Sequence, residues 1–367
     1  MSDRFHRNEA GDEKYLVLHE FIKEARKKLN HNTWDYLVGA TESETTLARN
    51  RMALDTVALR PRVLGDVSHV DASVDFYGHR IRLPVLLAPV GSLESFEAGG
   101  GASVAKGAGA FGVPFILSSV SQPGIEETAA AATGPKVFQL YVRGDHDWQD
   151  AIAKRVIAAG YDAFAITVDT AHYSRRERDI SKRFVKTWRA ANTGMDVQAA
   201  LSWDDIKRFH DKHRIPLIIK GIGTGEDAEI AVRHGVEVIY VSNHGGRQLD
   251  HGRGSLDVLP EVVQAVAGRA KIMVDGSVSR GTDIVKAIAL GADWVGIGRL
   301  YLYALAADGA AGVTRMLEIL EDEVVKALGL TGVNSFAELT RGHVHAGAPP
   351  VVFPHVHSAF PLLKEGY

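Results

Sequence analysis

The chain has 367 residues, 46% of them hydrophobic and 24% charged, with a net charge of −3. That length suits one large α/β barrel with extra segments, or two ordinary domains, and the balance is globular rather than disordered. The small net charge excludes a general field for nucleic acid or an anionic membrane, and the absence of cysteine excludes disulfides, thiolate metal sites and cysteine nucleophiles.

The opening stretch MSDRFHRNEAGDEKYLVLHEF is too charged for a signal peptide. No apolar run approaches the roughly 20 residues of a membrane span. A cytoplasmic protein is expected. The segments EKYLVLHEFIKEARKKLN (13–30) and NTWDYLVGATESETTLARNRMAL (32–54) read as amphipathic helices. Residues 1–80 are thus expected to form a helical segment that covers the N-terminal end of a barrel or contributes to its site.

Residues 81–347 carry a repeat. Eight short apolar runs appear: PVLLAPV from Pro84, PFILSSV from Pro114, VFQLYV from Val137, AFAITVD from Ala163, PLIIKG from Pro216, VIYVSNHG from Val238, KIMVDG from Lys271 and WVGIG from Trp294. None alternates cleanly with polar residues, as expected of strands covered on both faces of a parallel sheet. Helical patterns separate them, and several open on Ser, Thr or Asp and close on Gly. The last, LYLYALAADGAAGVTRMLEILEDEVVKALG, is expected to break near Gly309. Eight alternations favour a closed (β/α)8 TIM barrel over an open doubly wound sheet. A long connection, 174–202, follows the fourth strand and reads as a lid. The tail, 348–367, is Pro-rich and is expected to wrap a neighbour or lie loose.

Barrels place their chemistry at the C-terminal strand ends. Those ends carry Gln139 and Tyr141, Thr167 and Asp169, Lys220, then Ser242, Asn243 and His244, Asp275 and Gly276, and Gly298 and Arg299. Each alone is most often a cap or a surface group. Together they bring a Lys, a His and arginines to one mouth, where like charges and lost hydration call for an anionic ligand. Glycines ahead of the last two helices, with Arg299 beside Gly298, suit a phosphate at helix N-termini. These residues predict a phosphate-bearing cofactor or substrate and a His-assisted reaction, either redox chemistry or isomerisation. No metal site is expected.

SNHGGRQLD (242–250) resembles the signature of the FMN-dependent 2-hydroxy acid oxidases and dehydrogenases. TWDYLVGA, LRPRVL, LAPVG, FQLYV, TVDT, RRERDI, IKG and GTDIVKAIALGA match that family in order, from about Asp35 to about Leu339. The resemblance implies FMN as cofactor and oxidation of a 2-hydroxy acid, with electrons passing to O2 or another acceptor. It implies His244 as base, Asp169 stabilising its protonated form, and Tyr141 assisting. Arg176 and Arg247 would clamp the substrate carboxylate, with Tyr36 and Tyr141 bonding the carboxylate or hydroxyl. Lys220, Gln139, Thr167, Ser118 and the backbone of Ala88, Pro89 and Val90 would hold the flavin ring. Ser242 joins that set, and Asp275, Gly276, Ser277, Gly298 and Arg299 would hold the ribityl phosphate. A homotetramer or higher oligomer is expected. The alternatives are a non-redox FMN- or phosphate-dependent isomerase on the same barrel, or a flavin-binding relative with altered activity.

Four departures stand out. DGSVSRG puts Ser277 in place of a family glycine and Ser279 in place of an arginine directed at phosphate. Val120 replaces a pocket aromatic, which opens the pocket. Gly91 follows APV, where several oxidases carry Ala. The connection between Arg178 and Ser202 is shorter than in typical members of that family, and its cations, including Arg178, Lys186 and Arg189, could guide an acidic substrate or simply be solvated.

Overall fold

The eight apolar runs are the eight strands of a closed parallel barrel, seen in a computed structural model that describes residues 13–183 and 195–366. They are β1 (Val85–Leu87), β2 (Phe115–Ser118), β3 (Lys136–Leu140), β4 (Ala163–Thr167), β5 (Leu217–Ile222), β6 (Val238–Val241), β7 (Lys271–Val274) and β8 (Trp294–Ile297). The ring closes where β8 pairs with β1, Val295 opposite Val85. The lack of polar alternation has a direct cause. In β1, Leu86 joins the inner cluster, while Val85 and Leu87 join the outer one between strands and helices. Both faces are dry, so both are apolar.

The inner cluster also holds Ile116, Val137, Ile218, Tyr240, Met273 and Trp294. A ribbon of two short strands, Val74–Phe76 and His79–Ile81, plugs its N-terminal end. Phe76 meets Trp294 edge-on at 5.0 Å, and Trp294 Nε1 donates to the Asp75 carbonyl at 3.2 Å. The first 80 residues are therefore not wholly helical, and the ribbon, not the helices, covers that end.

The helices go elsewhere. Leu18–Lys28 packs on the long helix Arg299–Leu330, which is broken at Asp308 and Gly309 as expected. Residues 32–54 form two helices, His31–Val38 and Thr45–Asp55, rather than one. The break has a tertiary cause: the Asp250 carboxylate accepts from Thr46 N at 2.8 Å and from the Ser43 hydroxyl at 2.6 Å, which starts a new helix. Both helices lie at the C-terminal mouth of the barrel, where they meet the segment 242–250.

The tail folds back on its own chain. Just ahead of it, Val344–Ala346 pairs with Val57–Leu59. Phe360 is buried against His19, and His357 Nε2 meets the Tyr303 hydroxyl at 2.9 Å. The connection after β4 contains helices Glu177–Ser181 and Met195–Ala200. Arg178 is engaged by Glu44 through a two-pronged bond at 2.6 and 2.7 Å, so it is a docking group. Lys186 and Arg189 lie outside the described residues. Among the described residues, no helix is long and apolar enough to cross a membrane, and no cluster of acidic and histidine side chains could hold a metal.

One buried pair links the N-terminal helices to the barrel. Arg51 forks onto Asp283 at 2.8 Å on both prongs and donates to the Ser277 carbonyl at 3.1 Å. Removing one partner leaves an uncompensated buried charge. Arg51→Ala should lower unfolding stability by about 3–5 kcal/mol in a denaturant titration. A loss under about 1 kcal/mol would show that the pair behaves like an exposed one.

Candidate active site

The segment 242–250 turns left-handed. His244, Gly245 and Gly246 have φ of 60°, 64° and 77°. Three such residues in succession reverse the chain in a very short space. They turn His244 back over the mouth, and the strain of a non-glycine there is of the kind that clusters at functional sites. A Cβ at Gly246 would lie 2.6 Å from the backbone nitrogen of Leu47. Helix Thr45–Asp55 can therefore approach only because that residue is glycine.

The other residues of the segment are each tied down. Asn243 and Asn50 exchange side-chain hydrogen bonds at 2.7 and 2.9 Å. Ser242 Oγ accepts from Lys220 Nζ at 2.9 Å and from His244 N at 3.1 Å. Gln248 donates to the carbonyls of Asp169 and His172. Arg247 Nη1 donates to the carbonyls of Tyr36 and Gly39, both at 2.7 Å. Arg299, from the end of β8, donates to the carbonyls of Leu37 and Gly39 at 3.1 and 2.9 Å. Two arginines thus satisfy the free carbonyls at the C-terminal end of helix His31–Val38, where the backbone dipole is negative. The same grip stations Tyr36 beneath Arg247, 4.7 Å from ring centre to guanidinium.

His244 Nδ1 lies 2.9 Å from Asp169 Oδ1, and its Nε2 lies 3.2 Å from the Tyr141 hydroxyl. Burial pushes Asp169 up, yet the neighbouring His244 and Lys220 outweigh it and hold the carboxyl below its ordinary range. An ionised carboxylate only accepts, so Nδ1 carries the imidazole proton and Nε2 offers its lone pair. Burial holds His244 below the ordinary histidine range, opposed by Asp169. The imidazole is therefore neutral at pH 7. Arg247 is pulled below its usual value by burial and then by Arg176, a sign that this mouth lacks negative charge.

These groups surround a single cavity that is open on one side. Tyr36, Ala88, Pro89, Val90, Tyr141, Arg176, Lys220, His244, Arg247, Asp275, Gly276, Ser277, Gly298 and Arg299 all line it. Asp169 lies behind His244, and Ser242 behind Lys220. Ser118, Gln139 and Thr167 are buried at the ends of β2, β3 and β4, with Gln139 Nε2 donating to Thr167 Oγ1 at 2.8 Å. Four buried polar atoms in this group have no hydrogen-bond partner among the described residues: Gln139 Oε1, Asp169 Oδ2, Asp275 Oδ1 and Arg247 Nη2.

The two serine departures leave no cation behind. Ser279 Oγ donates to the Ser277 carbonyl at 3.0 Å, and Arg280 is paired with Glu323 at 2.6 Å. Gly91 lets Val120 in: a Cβ at 91 would lie 2.7 Å from Val120 Cγ2.

Several lining residues escape the strand-end rule. Gln198, from helix Met195–Ala200 of the connection, accepts from Val142 N at 2.7 Å and donates to the Thr167 carbonyl at 3.0 Å. Arg143, Tyr173, Tyr303 and Val356 also line the cavity. Only Arg143, two residues past Tyr141, lay close enough to a strand end to be found from sequence.

A family model described as FMN-dependent dehydrogenase matches residues 25–346. The chain belongs to this family. It is 39% identical to glycolate oxidase 3 of Arabidopsis thaliana over 347 residues, covering 89% of this chain and 94% of that protein. It is 37% identical to glycolate oxidase of Spinacia oleracea, covering 90% and 95%. Among solved structures, mandelate oxidase with (S)-4-hydroxymandelic acid superimposes with a TM-score of 0.86 at 35% identity, covering 91% of this chain and all of that one. A mandelate oxidase variant with a C4a-OH-FMN adduct superimposes at 0.83 and 36% identity, covering 90% and 99%. This FMN-dependent dehydrogenase is a family enzyme of the 2-hydroxy acid oxidase type, and its cofactor is FMN.

Gly246→Ala should destabilise the protein by about 1–3 kcal/mol, because φ of 77° is strained for alanine and the new Cβ meets backbone. A denaturant midpoint equal to that of the parent would show that the turn can relax.

Proposed function

We propose that the protein oxidises an (S)-2-hydroxy acid to the 2-oxo acid, with His244 as the base. The observation that carries this is the Asp169–His244 pair, whose Nε2, 3.2 Å from the Tyr141 hydroxyl, belongs to a cavity also lined by Arg247 and Arg176.

The orphaned atoms support the fit of FMN. Gln139 Oε1 is an acceptor suited to a flavin ring N–H, and Asp275 Oδ1 is one suited to a ribityl hydroxyl. Lys220, Thr167, Ser118, Ser242 and the backbone of Ala88, Pro89 and Val90 would complete the ring's surroundings. Gly276, Ser277, Gly298 and Arg299 would take the phosphate end, where glycines let backbone N–H groups approach. Bound FMN supplies the two-electron acceptor, which O2 or another oxidant restores.

The chain's own groups do the rest. Arg247 Nη2, buried without a partner, and the Arg176 guanidinium would bind the substrate carboxylate in a forked geometry. Tyr36 and Tyr141 would orient the carboxylate and hydroxyl. His244 Nε2 would take a proton from the substrate, and the Asp169 carboxylate would stabilise the imidazolium that results. Val120 occupies the space beside Gly91, and being smaller than an aromatic it leaves room for a substituent larger than hydrogen on the substrate carbon. Glycolate and mandelate oxidases among the relatives bracket that size range.

Anaerobic stopped-flow mixing with a panel of (S)-2-hydroxy acids tests this. The flavin should bleach, and His244→Ala should retain FMN yet bleach about 10²–10⁴-fold more slowly. Undiminished bleaching would remove His244 from the reaction. Since protonated His244 cannot accept a proton and its pKa is lowered from 6.5, kcat/KM should be flat near pH 7. It should fall with acid only below about 6.5. An acidic limb centred above 7 would contradict the assignment.

A further inference from the structure

Among the described residues one lysine lines the cavity, and an aromatic ring lies beneath it. Lys220 is buried. Its ammonium donates to Ser242 Oγ at 2.9 Å and lies 3.8 Å from Asp275 Oδ2. The same ammonium sits over the ring of Tyr240, 5.2 Å from the ring centre. Tyr240 is fully buried in the inner cluster of the barrel. Burial, and then Asp275, hold its phenol well above the ordinary value, so the ring is neutral and offers the ammonium only its face.

The contact follows from register. Lys220 in β5 and Tyr240 in β6 are direct partners across the parallel pair. Paired residues in a sheet project to the same face, so both side chains turn into the barrel at one level. The other inner residues near this level, Ile218 and Met273, are apolar. A ring as long as tyrosine needs space there, and β8 supplies it. A Cβ at Gly296 would collide with the Tyr240 hydroxyl and would lie 3.0 Å from Asp275 Cβ. The hydroxyl therefore fills a notch that exists only because residue 296 is glycine. That notch holds the ring with its face under Lys220.

A buried ammonium has lost its hydration. One hydroxyl and one carboxylate oxygen at 3.8 Å replace only part of it. The negative face of an aromatic ring attracts a cation, and does so more strongly where water is excluded. A leucine would fill much of the same space without that attraction.

We propose that Tyr240 is a positioning residue, whose ring holds the Lys220 ammonium against the flavin ring and so favours negative charge on that ring. This rests on the place given to Lys220 beside the flavin in the reading above.

Sulfite tests it without turnover, because it adds to oxidised flavin and leaves the ring anionic. The FMN-loaded parent and variants are titrated with sulfite, and the midpoint potential of the bound FMN is measured alongside. Tyr240→Leu should raise the sulfite Kd about 5- to 30-fold and move the potential to more negative values. Tyr240→Phe keeps the ring face and should stay within about threefold of the parent. An FMN-loaded Tyr240→Leu protein with the parent's Kd and potential would overturn the proposal. A lower melting temperature in that protein would not rescue it, since the ring would then be core filling alone. If the leucine variant does not fold, phenylalanine analogues with one, two and three ring fluorines at position 240 decide. Fluorine draws electrons from the ring face at nearly constant shape, so Kd should rise and the potential fall with each one, and a flat series would overturn the proposal. Lys220→Met separates the two levels. If it leaves Kd and potential unchanged, Lys220 does not stand beside the flavin, and the role of Tyr240 falls with that placement. If it shifts them while the Tyr240 variants do not, the proposal for Tyr240 alone is wrong.

Discussion

The site depends on how one helix end is held. Helix His31–Val38 finishes with carbonyls that no residue of the helix can satisfy. Arg247 and Arg299, from the ends of β6 and β8, supply the missing donors through the carbonyls of Tyr36, Leu37 and Gly39. Each arginine is thereby fixed in direction, with one face committed to the helix and the rest toward the cavity. The same bonds fix Tyr36 on the barrel mouth, so a residue far away in sequence becomes part of the wall.

That arrangement concentrates positive charge where water is scarce. Arg143, Arg176, Arg247, Arg299 and Lys220 share one cavity with the carboxylate of Asp275, and that of Asp169 lies behind His244. A protein tolerates such an excess when an anionic ligand completes it. FMN and an acid substrate have the required charge, and the partnerless Gln139 Oε1, Asp275 Oδ1 and Arg247 Nη2 are spread over ring, ribityl and carboxylate positions in the proposed arrangement. At the proposed phosphate end, Ser279 is bonded to its own loop and Arg280 to Glu323, so neither adds a charge there.

Much of this was legible in the chain. All eight barrel strands followed from uninterrupted apolar runs, because dryness on both faces leaves no polar alternation. The residues at their C-terminal ends gather at one mouth, as the barrel rule required. Four features were hidden for physical reasons. The split of residues 32–54 depends on Asp250, some 200 positions away. The left-handed turn at 244–246 is written as two glycines, but nothing local shows that His244 shares it. Gln198 reaches the cavity from a helix in the connection, outside the periodic strand-end pattern, and the ribbon 74–81 plugs the barrel with an alternation too short to separate from a loop.

The account turns on a base and an anion clamp acting on one substrate class. Anaerobic titration of the FMN-loaded protein with an (S)-2-hydroxy acid measures this most directly, by flavin absorbance and by the product formed. One equivalent of acid should bleach one equivalent of FMN and yield one equivalent of 2-oxo acid. Full FMN occupancy with no bleaching by any 2-hydroxy acid would contradict the account.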